Sequence, residues 1–262
     1  MSEPIELIPG ADASDVLFIC DHASNQVPGE YGDLGLPQAQ FARHIAWDIG
    51  AAAATRRLAE RFHAPAVLTC FSRLLIDPNR GADDPTLVMR ISDGAIIPGN
   101  AGIDEAEIER RRGRYWRPYR DAIGTALEAM MACGKTPAIV SLHSFTPAWK
   151  NFQRLWQMAV LWDTDDRIAH PLIEALRAGG LTIGDNEPYD GALEGDTLYE
   201  HGTQKGLAHV LVEFRQDLVG DAAGVNKWAD RLGYALAPVL GRPQTHMIRH
   251  HESRTLHRNR GS

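Results

Sequence analysis

Five apolar runs of strand length punctuate the chain: Val16-Leu17-Phe18-Ile19-Cys20, Ala66-Val67-Leu68, Ala138-Ile139-Val140-Ser141-Leu142, Met158-Ala159-Val160-Leu161-Trp162 and Ala208-His209-Val210-Leu211-Val212. Continuous runs of this kind are what strands covered on both faces require. Between them the period becomes helical. From Phe41 to Phe62, apolar residues recur at 41, 45, 49, 52, 58, 59 and 62, which predicts one helix. After Ile103, Asp104 reads as an N-cap with Glu107 completing a capping box, and Ile103 and Ile108 form a staple. The helix they start carries a stripe through Tyr115, Tyr119, Ile123, Leu127 and Met130, with Pro118 as a kink and Gly134 as its stop. Two more helices are predicted over about 166–178 and 222–239, the second with Val225, Trp228, Leu232, Leu236 and Val239 on one face.

Strands alternating with helices, without an internal repeat, predict a single α/β domain with a mixed, mostly parallel central sheet flanked by helices. Its expected limits are 14–243, after an N-terminal segment at 1–13 and before a basic, His-rich tail at 244–262. From Thr245 onward four Arg face one Glu, together with His246, His250, His251 and His257. The tail reads as a mobile terminus that packs on nothing, rather than as a metal- or anion-binding extension.

Composition narrows the class of partner. A chain of 262 residues with 44% hydrophobic and 23% charged residues can bury a sizeable core, which excludes bulk disorder. With 27 Lys+Arg against 34 Asp+Glu, a net charge of −7 gives no electrostatic footprint for nucleic acid or an anionic membrane, so a small molecule is the expected partner. Cys20, Cys70 and Cys133 are too few and too scattered for a disulfide framework. With no basic leader and no run of ~18 apolar residues, a cytoplasmic location without a membrane anchor is expected.

Candidate chemistry collects just beyond the apolar runs, where open α/β sheets gather their ligands. His22 follows the first run, His143 another and Glu213 a third. Two imidazoles suit Zn²⁺, and a catalytic zinc takes three protein ligands. Asp48 falls on the core-facing stripe of the helix from Phe41 and is the preferred third ligand, because a buried carboxylate needs a cation. The competing reading pairs it with Arg43, Arg80 or His44, while Asp21 and Asn25 are further oxygen donors. Glu213 can relay a proton beside a metal site or pair with Arg215. In Ser72-Arg73-Leu74-Leu75-Ile76-Asp77-Pro78-Asn79-Arg80-Gly81, two guanidiniums bracket a turn, as a carboxylate clamp would need. No GxSxG, P-loop or GxGxxG follows a strand, which removes the usual support for serine hydrolase, P-loop and Rossmann chemistry. Cys20 and Cys70 sit in apolar surroundings and read as packing.

Six motifs carry a resemblance: Asp-His-Ala-Ser-Asn-Gln-Val-Pro at 21–28, His-Ile-Ala-Trp-Asp-Ile-Gly-Ala at 44–51, Ser-Arg-Leu-Leu-Ile-Asp-Pro-Asn-Arg at 72–80, Ser-Leu-His-Ser-Phe-Thr-Pro at 141–147, Asn-Glu-Pro-Tyr at 186–189 and Val-Glu-Phe-Arg-Gln-Asp at 212–217. Over roughly 14–240 the chain resembles the N-formylglutamate amidohydrolase family, a branch of the zinc carboxypeptidase-like hydrolases that includes succinylglutamate desuccinylase and aspartoacylase relatives. The resemblance implies a zinc-carboxypeptidase-like architecture and one zinc ion held by His22 and His143. It implies Glu213 as general base, Arg73 as oxyanion or carboxylate partner, and Asn79 and Arg80 as the substrate clamp. His201 in Tyr-Glu-His-Gly, Tyr189 and Arg215 fall in motifs expected to touch substrate. The better-known relatives carry His-x-x-Glu, whereas here Asn25 stands three residues after His22, so the third ligand comes from elsewhere and Asp48 is the choice. The implied activity is hydrolysis of N-formyl-L-glutamate to formate and glutamate, a step of histidine catabolism. The alternatives are another N-acyl amino acid or small peptide, or a silent homologue that binds metal or metabolite.

Overall fold

All five apolar runs become strands of one seven-stranded sheet in the computed structural model, which describes residues 3–255. The strands are β1 (Ile5–Ile8), β2 (Val16–Cys20), β3 (Ala66–Thr69), β4 (Ala138–Phe145), β5 (Met158–Leu161), β6 (Ile183–Asp185) and β7 (His209–Arg215). Their spatial order is β1-β3-β2-β4-β7-β5-β6, antiparallel at β1/β3 and β7/β5 and parallel elsewhere. The edge strands are the two that the apolar pattern does not announce. β1 alternates Glu6 with an exposed Leu7, and β6 is three residues ending in Asp185.

Four helices cover the sheet, α1 (Ala51–Phe62), α3 (Arg117–Ala132), α4 (Ala169–Ala178) and α5 (Ala222–Leu240), while α2 (Glu105–Arg111) packs on the loop after β3. On one face Phe18, Leu68, Val140, Val160 and Val212 pack against Leu58 of α1, Leu172 of α4 and Trp228 and Leu232 of α5. On the other, Leu17, Ile19, Ile139 and Leu161 meet Tyr119, Ile123 and Leu127 of α3. These burials follow from the period-2 alternation of each strand set against the 3.6-residue stripe of each helix. A third apolar cluster, with Phe41, Ile45, Phe71, Leu74, Leu75 and Ile76, anchors the loop that follows β3. Among the described residues no helix is long and apolar enough to cross a membrane.

The helix expected over 41–62 is interrupted. A 3₁₀ turn at Gln38–Ala42 gives way to loop, and α1 begins only at Ala51. Gly50 makes the break: its φ is +82°, and a Cβ there would lie 2.3 Å from the Val219 carbonyl oxygen. The apolar period was therefore counted through a turn, and Asp48 sits on a loop rather than on a helix face. Asp104 does cap α2, accepting from Glu107 N–H at 2.9 Å. The reciprocal half of the box is taken over by Arg111, whose Nε donates to Glu107 at 2.8 Å. Ahead of Pro118 the helix widens into a π-turn at Arg112–Trp116.

The described part of the C-terminal segment packs on the body, contrary to the mobile tail expected. Thr245 and Ser253 are buried, Arg249 N–H donates to Gly206 C=O, and Arg167 donates to Met247 C=O. Arg254 bonds Asp163, the Trp162 carbonyl and Asp190. His246 is taken up by the Thr136 and Leu240 carbonyls. His257 and its neighbours at 256–262 lie outside the described residues.

Candidate metal centre and active site

From β2 the chain moves to β3 on one side and then to β4 on the other. The gap at the carboxyl ends of β2 and β4 is thus a topological switch point, where open sheets hold ligands. His22 stands two residues past β2. His143 lies within β4, which runs three residues beyond the expected strand. β7 is likewise longer than its apolar run, and Glu213 is the register partner of His143. Alternation puts Ser141, His143 and Phe145 of β4 on the same face as Leu211 and Glu213 of β7.

Asp48 is carried to this point by its loop: its N–H donates to the His22 carbonyl at 2.9 Å, and its Oδ2 accepts from Ser144 N–H at 3.3 Å. The same Oδ2 lies 2.8 Å from His143 Nδ1 and 3.3 Å from His22 Nδ1. The opposite ring nitrogens are held by other acids, His22 Nε2 by Asp77 at 2.8 Å and His143 Nε2 by Asp21 at 2.9 Å. The imidazoles are perpendicular, with centroids 4.8 Å apart. One ligand atom from each of His22, Asp48 and His143 lies within 4.8 Å of the others, all three residues being buried.

This donor set fits a divalent cation. Both Nδ1 atoms converge on one carboxylate oxygen, while each Nε2 is fixed by an outer carboxylate, the arrangement that orients histidine ligands. Charge points the same way, since Asp21, Asp48, Asp77 and Glu213 face only Arg73 as a permanent cation among the residues hydrogen-bonded or ion-paired here. Without a metal, protons take its place. Burial alone would lower His143, but its bonds to Asp21 and Asp48 push it up to about 10. Burial opposes ionisation of Asp48, yet the His22 and His143 partners hold it far below the usual carboxylate range. Asp21 is drawn down to about 2 in spite of its burial, chiefly by His143.

Arg73 reaches the centre from the loop after β3. Its Nη2 donates to Asp77 at 2.7 Å, and its Nη1 lies 3.2 Å from His22 Nδ1 and 3.7 Å from Asp48 Oδ1. Asp48 thus meets Arg73 and the two imidazoles rather than Arg43 and His44, which turn to Asp93, or Arg80. Glu213 is buried, its Oε2 makes no hydrogen bond among the described residues, and its pKa is raised to about 7 by burial and the charge of Asp48 against the pull of His143, His22 and Arg73. The expected alternative pair with Arg215 does not form.

A cavity of about 350 Å³ opens over these groups, lined also by Asn79, Arg80 and Tyr189. Asn79 is set by its N–H to Asp77 at 3.0 Å. Arg80 is steadied by Nε to Thr86 and Nη1 to the Asn79 carbonyl, and its Nη2 makes no hydrogen bond among the described residues. The Tyr189 hydroxyl meets Arg154 at 3.1 Å.

Two expected substrate contacts lie away from the cavity. His201 is buried against Gly124 of α3, neither nitrogen is hydrogen-bonded among the described residues, and burial lowers it to about 4. Arg215 is occupied by Asp217 and by the backbone carbonyls of 154–156. Both were chosen by motif, as the cavity residues were, but neither side chain lines the cavity. Two further carboxyls belong to the surroundings: Asp77, expected only as part of the turn that positions Arg80, holds His22 and Arg73, and Asp196, for which nothing was expected, is a buried cavity carboxyl raised to about 7 by burial.

The family model for N-formylglutamate amidohydrolase matches residues 14–219. Among solved structures, the chain is 34% identical to a gene product of Agrobacterium tumefaciens, with a TM-score of 0.87 over 91% of this chain and 95% of that one. It shares the fold of N-formylglutamate amidohydrolase from Ralstonia eutropha JMP134, at 23% identity and a TM-score of 0.65 over 91% and 97% of the two chains. No curated protein matches. The chain belongs to the N-formylglutamate amidohydrolase family.

Proposed function

We propose that this protein is a zinc-dependent hydrolase of N-acyl amino acids that bear a free carboxylate, with N-formyl-L-glutamate, cleaved to formate and L-glutamate, as the lead substrate. The observation that carries this reading is the convergence of His22 Nδ1 and His143 Nδ1 on Asp48, with Glu213 in register beside them. His22, His143 and Asp48 would hold the ion. When bound, zinc supplies Lewis acidity that polarises an acyl carbonyl and acidifies water.

The chain's own residues do the rest. Glu213, buried and with Oε2 free, takes the proton of the attacking water and returns it to the leaving amine nitrogen, and a pKa near neutrality suits both halves of that exchange. Arg73, pinned by Asp77, presents a fixed positive charge where the carbonyl oxygen becomes negative. Arg80 and the Asn79 amide hold the substrate carboxylate, since two arms of Arg80 are already tied and its Nη2 remains for a ligand.

The test is release of free amine from a panel of N-acyl amino acids by zinc-loaded protein, compared with Arg80→Lys. Acidic substrates should be hydrolysed, and the lysine variant should lose roughly 10- to 150-fold in kcat/KM on them, the cost of one charge-assisted hydrogen bond. Absence of hydrolysis of every member by zinc-loaded wild type would refute the reading.

A further inference from the structure

The segment at 193–199, between β6 and β7, and the loop after β3 are joined into one body beside the Arg80 clamp. Gly195, at φ +74°, lies against Gly81, and a Cβ added to it would come within 2.9 Å of the Gly81 Cα, so the two backbones touch only because both residues are glycine. Arg120 of α3, buried at 3% exposure, stitches the loops together: its Nη2 donates to the carbonyls of Gly195 at 2.8 Å, Arg80 at 3.1 Å and Pro78 at 3.3 Å. Thr197 N–H adds a bond to Asn79 Oδ1 at 3.3 Å.

This body reaches the two histidines at two points. Asp77 Oδ1 takes the Asn79 N–H at 3.0 Å and His22 Nε2 at 2.8 Å. At the other point, the fully buried Thr197 hydroxyl donates to Asp21 Oδ1 at 2.6 Å, and its 3.3 Å contact with the Pro78 carbonyl is the longer of the two. Asp21 Oδ2 meets the Ser141 hydroxyl and His143 Nε2, both at 2.9 Å. The carboxylate torsion of an aspartate is broad and roughly two-fold, so a carboxylate held through one oxygen can swing and take the imidazole with it. The Thr197 hydroxyl removes that freedom at Oδ1. Resting on the metal assignment above, we infer that Thr197 is a positioning residue whose hydroxyl fixes Asp21, and through Asp21 the His143 ring, to the loops that carry the substrate clamp. Its two bonds have separate duties. The hydroxyl serves the metal ligand and the backbone N–H serves Asn79, so a side-chain substitution cuts the first and spares the second.

The experiment measures zinc affinity by competition with a chromogenic chelator, and kcat and KM for N-formyl-L-glutamate with zinc-saturated protein, in wild type, Thr197→Val and Thr197→Ser. Thr197→Val, which keeps the shape and loses the hydroxyl, should weaken zinc binding by about 10- to 100-fold. It should also lower kcat while KM stays within roughly threefold, because the bond to Asn79 is retained. Thr197→Ser should restore both zinc affinity and kcat. In an Asp21→Asn background, Thr197→Val should cost far less zinc affinity than it does alone, since the hydroxyl acts through that carboxylate. If Thr197→Val does not fold, Thr197→Ala takes its place with the same expectations. Wild-type zinc affinity in the valine variant, an equal loss in the serine variant, or an undiminished loss in the Asp21→Asn background would overturn the inference. So would a rise in KM as large as the fall in kcat, which would make the segment a support of the cavity wall alone. If wild type binds zinc and hydrolyses nothing, the hydrolase reading falls and the zinc affinities still decide the role of Thr197. If wild type is active and the valine variant binds zinc as tightly, the inference falls and the hydrolase reading stands.

Discussion

A buried carboxylate with one oxygen unpartnered, facing a cavity beside two imidazoles, is poised to accept a proton. Glu213→Gln keeps the volume and loses the basic lone pair, so turnover should fall roughly 10²–10⁴-fold while zinc content, read by elemental analysis, stays unchanged. On the proposed mechanism the same group sets the pH profile. Glu213 acts only when deprotonated, and its pKa is raised to about 7, so kcat/KM should rise with pH along an acid limb at or below 7, because a nearby divalent cation favours the carboxylate. That limb should vanish in the Gln variant, and its persistence would assign the base to another residue. At this scale the sequence was informative where a polar residue stood within two positions of the end of an apolar run, as His22, His143 and Glu213 do. It was less informative where the decision depends on which way a side chain points. Arg215 shares β7 and the face of Glu213, yet at the strand's end Asp217 and three carbonyls capture it. Asp48 was selected from a helical period that the structure breaks at Gly50, and it reaches the centre through a loop bonded to His22 and Ser144.

A loop inside the matched family region and a segment beyond it also shape the cavity. The loop after β6 contributes Tyr189, Asp190, Gly191 and Leu193 to the cavity wall, and it is tied down at two points. Asn186 Oδ1 accepts from Trp162 N–H and Gly191 N–H at 2.9 and 3.0 Å. Arg254 of the C-terminal segment bonds Asp190 at 2.7 Å while also holding Asp163 and the Trp162 carbonyl. Arg254→Ala should therefore raise KM more than it lowers kcat, since the wall is loosened while the proton-transfer groups remain in place. Equal effects on both parameters, or none, would show that the segment does not support the wall. The composition of this segment suggested a free tail because charge and histidine content report solubility, not contacts. Its packing depends on Gly206, Asp163 and Asp190, residues far away in sequence that composition cannot pair with it.

For the whole molecule, sheet order places the chemistry: successive crossovers put β3 and β4 on opposite sides of β2, and the buried charge gathers at the resulting gap. The apolar runs reveal the central strands because both faces are covered, whereas the short edge strands β1 and β6 carry no such signature. The buried carboxylates also make stability depend on metal and pH together. His143 in the metal-free protein is raised from 6.5 to about 10, so its contribution is fully present below pH 6.5 and is lost as pH rises through 10. Chelated protein should show a melting temperature that declines across that window, and zinc-loaded protein, whose ligating imidazole carries no extra proton, should lack this decline. Parallel pH dependences in the two forms would mean that His143 is not where the metal binds.

Anomalous diffraction at the zinc edge from zinc-saturated crystals tests the metal assignment most directly. The account predicts one peak about 2.0–2.1 Å from both His22 Nδ1 and His143 Nδ1 and about 2.0–2.2 Å from an Asp48 oxygen, with Nε2 of each ring still on Asp77 and Asp21. A peak elsewhere, coordination through Nε2, or no peak at this position in zinc-saturated crystals would contradict it.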